Sequence, residues 1–319
     1  MRFPLADWID AHAGCRHQLS TSGMRATIRH PLPSRADVAG ASETELTRRL
    51  AELVGVASDR LFLTHGATEA AALAVQFLRT RERGRSLRCR VRLPEYPPLV
   101  DIARAVGYRT VTGGPASELA IISQPRNPAG DLWPRARLEA WSETARSIVV
   151  DETFREFSDA PSVQRLGLPG LWTTGSFTKV YGADDLRVGF VVVPEAAREP
   201  FARFHGLMTD EIAPYSVAGA LVTLAARDRL LRTVRTLVRR NQTLWRRASP
   251  GGPELAAPLA FDDPVRPDGD RFARRCLRAS VLVASGSFFG KPSGVRVCMT
   301  RRSFPSDLRA YLAVRDGAA

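Results

Sequence analysis

Three side chains of catalytic type stand in fixed order in one stretch of the chain: the hydroxyl of Ser176, the amine of Lys179 and, eight residues later, the guanidinium of Arg187 in Arg187-Val188-Gly189. The lysine is the informative one. Of the 46 basic residues, only Lys179 and Lys291 are lysines. Arginine stays protonated under ordinary conditions, whereas lysine can give up its proton and condense with a carbonyl. A lysine kept where arginine holds nearly every other basic position points to amine chemistry; the alternative is a chance surface residue. Further polar groups stand in Thr64-His65-Gly66-Ala67-Thr68, Pro94-Glu95-Tyr96-Pro97, Asn127-Pro128-Ala129-Gly130 and Asp151-Glu152.

Each of these segments follows a short apolar run, and the runs alternate with helical patterns. Strands are expected over residues 61–63, 88–93, 108–112, 119–123 and 147–150, with helices after Thr68 and over 99–106 and 134–145. Leu171-Trp172 leads into the Ser176 segment and Val191-Val192-Val193 leaves it, which reads as strand, polar loop, strand. Residues 43–54 have helical apolar spacing with Ser42 as candidate N-cap, and a short helix is expected over 6–13. Interleaved strands and helices imply an α/β fold with a mostly parallel sheet, whose ligands gather at the carboxyl ends of the strands. Thr68, Tyr96, Asn127, Asp151 and Ser176 all follow strand ends, and that shared location weighs more than any single motif. The turn at Gly66 into a helix offers outward-pointing N–H groups to an anion, although a helix start with no ligand looks the same in sequence.

Beyond residue 194 the alternation stops. Helices are expected over 195–205 and, as one long element, over 216–248, ending at Ser249-Pro250-Gly251-Gly252-Pro253. Strands over 259–261, 281–284 and 295–299 and helices over 271–279 and 306–314 complete a smaller α+β domain. The expected organisation is an N-terminal arm (1–40) packing with the small domain, a large domain (41–200) and a small C-terminal domain (201–319).

Composition excludes several classes. With 44% hydrophobic and 25% charged residues the chain is globular rather than disordered. It has no apolar run of about 18 residues, so no membrane span is expected. Its first residues lack the apolar core of a signal peptide, and a cytoplasmic protein is expected. Cys15, Cys89, Cys276 and Cys298 are scattered without close spacing, which reads as reduced thiols and no metal site. A net charge of +13 raises the question of nucleic acid. Yet the arginines between residues 229 and 247 share a helix with Leu230, Leu231, Val234, Leu237 and Val238, so they form the outer face of an amphipathic helix. No nucleic-acid motif accompanies them. An anionic small molecule accounts for some of the charge more simply.

Over roughly residues 30–300 the constellation resembles the fold-type-I pyridoxal-phosphate enzymes of the class I/II aminotransferase superfamily, nearest the branch of histidinol-phosphate aminotransferase and threonine-phosphate decarboxylase. The resemblance is carried by Ser-x-x-Lys with Arg-Val-Gly eight residues on, preceded in order by Asn-Pro-x-Gly and Asp-Glu. It implies a three-layer large domain with a mostly parallel sheet, the aminotransferase fold type I, plus a smaller α+β domain. It also implies a homodimer binding pyridoxal 5'-phosphate. Lys179 would hold the cofactor as a Schiff base and shuttle protons, and Asp151 would keep the pyridine nitrogen protonated. Asn127 would donate to the phenolic oxygen and Tyr96 would stack on the ring. Ala67, Thr68, Ser176 and Arg187 would cup the phosphate. Arg296, in Gly294-Val295-Arg296-Val297-Cys298, would grip the substrate α-carboxylate.

Three departures accompany the likeness. Phe154 stands where the family has a tyrosine that donates to the phenolic oxygen. His30-Pro31 stands for a Tyr-Pro whose tyrosine reaches the neighbouring subunit's phosphate. The usual glycine before Leu-Arg is replaced, giving Ala183-Asp184-Asp185 and placing two carboxylates near a phosphate-binding arginine. The chain is also short for the family, implying a trimmed loop or N-terminal segment. The expected activity is transfer of an amino group between an L-amino acid and a 2-oxo acid. Decarboxylation or elimination on the same cofactor, and a cofactor-binding regulatory module without turnover, remain the alternatives.

Overall fold

The computed structural model describes residues 4–82, 86–114, 116–263 and 268–317. The chain opens with α1 (Pro4–Ala11), β1 (His17–Gln18), α2 (Arg35–Ala39) and α3 (Glu43–Val54), followed by β2 (Leu61–Thr64), α4 (Ala67–Arg81), β3 (Arg88–Arg90), α5 (Pro97–Ala105) and β4 (Arg109–Val111). Then come β5 (Ser117–Ser123), α6 (Arg135–Thr144), β6 (Ala145–Asp151), β7 (Leu171–Ser176), β8 (Gly189–Val192), α7 (Arg198–Met208), α8 (Pro214–Ala225) and α9 (Arg227–Ala248). The chain closes with β9 (Leu259–Asp262), α10 (Gly269–Arg278), β10 (Val281–Leu282), β11 (Ala284–Ser285), β12 (Val295–Cys298) and α11 (Phe304–Arg315).

Seven strands form the main sheet in the order β2-β8-β7-β6-β5-β3-β4. The β4, β3, β5, β6 and β7 pairings are parallel; β8 runs against both of its neighbours. The central strands read as unbroken apolar runs because both faces are covered. Leu119, Ile121 and Val149 pack with α4, α5 and Phe201 of α7 on one face, while Ala120, Ile122, Ile148 and Val150 meet Leu138 of α6 on the other. Helices α3 and α8 cover the β2–β8 end, where Leu46, Leu50, Leu61, Leu63, Val192 and Val217 share one cluster. Ser42 caps α3 by accepting from Glu45 N, as its sequence position predicts.

Two expectations for the C-terminal half need correction. The long helix over 216–248 is two helices, broken at Ala226, whose dihedrals (φ −91, ψ 3) leave the helical region. No glycine or proline marks the break. The two helices bury different surfaces: Gly219 of α8 sits against Leu186, whereas Trp245 of α9 packs with Phe272 and Tyr311. One straight axis cannot serve both. The strand expected over 281–284 is also two strands: β10 pairs with β1 of the N-terminal arm, and β11 joins β12 and β9 in an antiparallel sheet. The arm is further tied to this region by Trp8 Nε1 donating to Val283 O.

Candidate active site

Strand register brings the separate motifs together. Ser123 lies opposite Asp151, Asp151 opposite Thr174, Ser176 opposite Gly189, and Gly189 opposite Thr64. The strand ends therefore line up along one edge of the sheet, where side chains from sequence-distant loops converge. They surround a cleft of about 180 Å³ lined by Ser22, Ala67, Thr68, Tyr96, Asn127, Asp151, Thr153, Phe154, Ser176, Thr178, Lys179, Asp184 and Arg187, with Pro98, Leu99 and Ile102 from α5.

At one end of the cleft α4 begins at Ala67 after Gly66, whose φ of 103 and lack of any side-chain cap leave the first-turn N–H groups free. A Cβ on Gly189 would lie 2.4 Å from Gly66 C, so glycine there lets the β8 start touch the turn. That contact sets the Arg187 guanidinium beside the helix start, where Nη2 donates to His65 O at 3.3 Å. Arg187 has φ 51, an uncommon left-handed backbone for a non-glycine residue. Ser176 Oγ accepts from Thr178 N at 3.0 Å and shares a 2.6 Å hydrogen bond with Thr178 Oγ1. The free N–H groups of the helix start, the hydroxyls of Ser176 and Thr178 and the Arg187 guanidinium thus stand together at one end of the cleft, an arrangement suited to an anion.

Lys179 is half-buried in the cleft and its side chain makes no hydrogen bond within the described residues. Burial lowers its pKa, Asp184 opposing and Arg296 assisting. A larger share of the amine is therefore neutral and nucleophilic than for a surface lysine. The other lysine has a different setting: Lys291 pairs with Asp263 and lies over the Phe261 ring. A larger cavity of about 640 Å³ sits beside Lys291, but its Arg126 and Arg315 are likewise paired, with Asp131 and Asp262.

Asp151 is buried, and burial raises its pKa against the opposing hydrogen bonds of Thr153 and Thr174 and the charge of Lys179. Thr153 N (3.0 Å), Thr153 Oγ1 (2.6 Å) and Thr174 Oγ1 (3.2 Å) all donate to Oδ1. Oδ2 carries no hydrogen bond among the described residues and is open to a donor in the cleft. Asn127 is oriented in a similar way. Its N–H donates to Ser123 Oγ at 2.8 Å and its Oδ1 accepts from Arg296 Nη1 at 3.1 Å, leaving the amide NH₂ to donate elsewhere. Arg296 is 2% exposed and stands behind Asn127 rather than in the cleft wall. Nη2 donates to Ser20 O, the guanidinium lies 4.9 Å from the Phe289 ring centroid, and the buried Nε has no hydrogen-bond partner among the described residues.

Tyr96 and Phe154 form walls of the cleft. Burial, with the charge of Asp151, pushes the Tyr96 phenol up to about 12, while a hydrogen bond with Thr68 holds it down. Phe154 is buried and stacked on Phe157 at 5.9 Å. His30 is not among the lining residues; its Nε2 meets Asp185 Oδ1 at 2.9 Å and its Nδ1 meets Pro31 O. This pairing accounts for Asp185, one of the two unusual carboxylates.

Sequence reasoning missed the residues that hold others in place. Thr153 and Thr174 orient Asp151; only the Asp-x-Thr spacing at 151–153 hints at it, since a threonine two residues on commonly bonds an aspartate. Glu95 is 2% exposed and accepts from Ser123 N (2.9 Å), Ser123 Oγ (2.6 Å) and Tyr96 N (2.7 Å). It joins the Tyr96 and Asn127 loops, and a charged residue between Pro94 and Tyr96 was its only signal.

A family profile described as aminotransferase class I and II matches residues 16–304 of this chain. A histidinol-phosphate aminotransferase of Symbiobacterium thermophilum is 30% identical over 217 residues, 61% of this chain and 57% of that protein. The chain thus spans just over half the length of this curated relative. Among solved structures, an aminotransferase from Mycobacterium tuberculosis superposes with a TM-score of 0.82 at 20% identity, covering 100% of this chain and 96% of the other. A PLP-dependent cyclase, OrfR, superposes with a TM-score of 0.79 at 21% identity, covering 100% and 98%. Identities this low show a shared fold alone. The family match covers most of the chain, and the chain belongs to the class I and II aminotransferases.

Proposed function

We propose that this member of the class I and II aminotransferases is a pyridoxal-phosphate enzyme that moves an amino group between an L-amino acid and a 2-oxo acid. The observation that carries the reading is the convergence of three unlike features on one cleft. These are a free lysine amine, an aspartate with one oxygen unclaimed, and an uncapped helix start beside an arginine. Each matches a different part of the cofactor. The N–H groups of Ala67 and Thr68, the Ser176 hydroxyl and Arg187 bind the phosphate. Asp151 Oδ2 accepts from a protonated ring nitrogen, and the Asn127 amide donates to the phenolic oxygen. Bound there, the cofactor supplies a ring that accepts electrons from the substrate's α-carbon.

Lys179 would hold the cofactor through Nζ, and as the amine lining the cleft it would also be the group to carry a proton at the substrate's α-carbon. Burial lowers its pKa, which leaves more of the amine neutral and able to condense with a carbonyl than on a surface lysine. Arg296, which the family likeness assigns to the substrate α-carboxylate, stands behind Asn127 with Nη1 and Nη2 bonded to Asn127 Oδ1 and Ser20 O, so gripping the carboxylate would require one of these bonds to be exchanged for it. Tyr96 and Phe154 exclude water from the ring faces. Two wider parts of the reading have support of their own. Leu207, Met208 and Tyr215 are exposed near the α7–α8 turn, apolar surface of a kind that a homodimer would cover. The four cysteines are unpaired, which fits the reducing cytoplasm.

Lys179→Ala tests the assignment. It abolishes the visible band that the cofactor gives with wild-type protein, and borohydride reduction of the wild type followed by peptide mapping places the adduct on residue 179. An adduct on Lys291 overturns the reading. Product analysis by mass spectrometry decides the reaction: 2-oxo acid means amino transfer, and carbon dioxide with an amine means decarboxylation. The second reading, a decarboxylase or lyase, is favoured by Phe154, which withholds from the phenolic oxygen the donor that a tyrosine would offer.

A further inference from the structure

The cleft contains one carboxylate that the proposed chemistry leaves unused. Asp184 lines the cleft with Lys179 and Arg187, and its side chain has no hydrogen bond or ion pair within the described residues. It differs in this from its neighbour Asp185, which is taken up by His30. The backbone that carries Asp184 is held in place. Ala183 and Leu186 on either side of the Asp184-Asp185 pair are fully buried, and Asp184 O accepts from Arg187 Nη1 at 3.5 Å. Among the charged groups acting on Lys179, Asp184 is the foremost.

The charges of the cleft then decide what a substrate side chain can carry. The cations in reach are Lys179, Arg187 and, behind Asn127, Arg296. On the functional reading above, Lys179 is joined to the cofactor, Arg187 faces its phosphate and Arg296 faces the α-carboxylate. No cation among the described lining residues is left for a second acidic group. The phosphate brings a charge of about −1.5 to −2, so Arg187 does not neutralise it, and Asp184 adds to the excess. A substrate with a second carboxylate or a phosphate meets net repulsion. A substrate with an amine or guanidinium on its side chain meets an unpaired carboxylate in a partly enclosed site, where a charge without a partner is costly and a paired one is strongly held.

We propose that Asp184 is the specificity-determining residue of this site, selecting amino acids whose side chain carries a second cationic group, an amine or a guanidinium. The inference rests on the cofactor reading above. It also separates this chain from a phosphate-bearing substrate of the kind that the name of its Symbiobacterium relative specifies.

The test uses holoenzyme with L-ornithine, L-lysine and L-arginine as cationic substrates, L-norleucine as neutral reference, and L-glutamate and L-phosphoserine as acidic ones. Wild type is expected to prefer the best cationic substrate over norleucine by tenfold or more in kcat/KM. Asp184→Asn is expected to lower that ratio by roughly tenfold, the usual worth of one charged hydrogen bond, and to raise the acidic-to-neutral ratio. A wild type that prefers the acidic substrates overturns the proposal. So does an Asp184→Asn ratio equal to wild type. Failure of the underlying reading looks different: wild-type protein that gives no visible band with the cofactor overturns the cofactor assignment itself.

Discussion

Replacing Glu95 by glutamine should remove a pH dependence of stability that its burial creates. The carboxylate is 2% exposed and has three donors but no cation against it. Burial pushes its pKa from 4.5 up to about 7, its hydrogen bonds pulling the other way and the charge of Asp151 adding a little. The native state therefore binds this proton more tightly than the unfolded chain. The resulting stabilisation is complete below pH 4.5 and is lost as pH rises through 7. At about 1.4 kcal/mol per pH unit the loss amounts to about 3 kcal/mol. Glutamine has the same shape and does not titrate, but it turns one acceptor into a donor facing N–H and O–H groups, a pH-independent cost of about 1–3 kcal/mol. The assay is urea unfolding of both proteins at pH 5 and pH 8. Asp151 and Glu152 titrate in both proteins, so the difference between wild type and Glu95→Gln isolates this one group. Wild type should exceed the variant by about 2.5 kcal/mol more at pH 5 than at pH 8, since part of the effect is already lost between pH 4.5 and pH 5. An equal difference at the two pH values would refute the reasoning, because Glu95 would then keep an ordinary carboxylate pKa.

Arg296→Lys keeps the charge but loses the planar fork that bonds Asn127 Oδ1 and Ser20 O and stacks on Phe289. It should reduce kcat/KM for α-carboxylate substrates by about 1.5–3 kcal/mol, mainly through KM; an unchanged KM would place the carboxylate elsewhere. Gly189→Ala puts a Cβ 2.4 Å from Gly66 C and 2.8 Å from Ala67 N, all backbone. Something must move, so stability should fall by about 1–3 kcal/mol and phosphate affinity should fall with it, measured by cofactor titration; wild-type affinity would mean that the phosphate does not sit at Ala67. Phe154→Tyr adds one hydroxyl at the cleft wall. If it reaches the phenolic oxygen, the pKa of the lysine–cofactor linkage, followed by the visible band against pH, falls relative to wild type; identical titrations would show that residue 154 does not face that oxygen.

Local chemistry was legible in the residues themselves. The order of Ser176, Lys179 and Arg187, the rarity of lysine, and polar residues at the ends of apolar runs located the cleft. A strand end, a glycine turn and a helix cap are properties of a few adjacent residues. Ser42 as the α3 cap and Asp151 at the end of β6 needed no knowledge of neighbours far along the chain. Long-range packing decided the rest. Thr153 claims Asp151 Oδ1 locally, but the third donor to that oxygen, Thr174, is set beside it by strand register. That Glu95 ties two loops together depends on β5 lying next to β3. His30 reaches Asp185 across 155 residues, which leaves Asp184 as the unpaired carboxylate of the pair. The break at Ala226 exists because α8 and α9 must cover surfaces with different directions, a demand that no glycine or proline in the segment announces. Which polar atoms are spent on one another, and which remain for a ligand, is a matter of three-dimensional hydrogen-bond partners, and these are set by contacts between residues far apart in the chain.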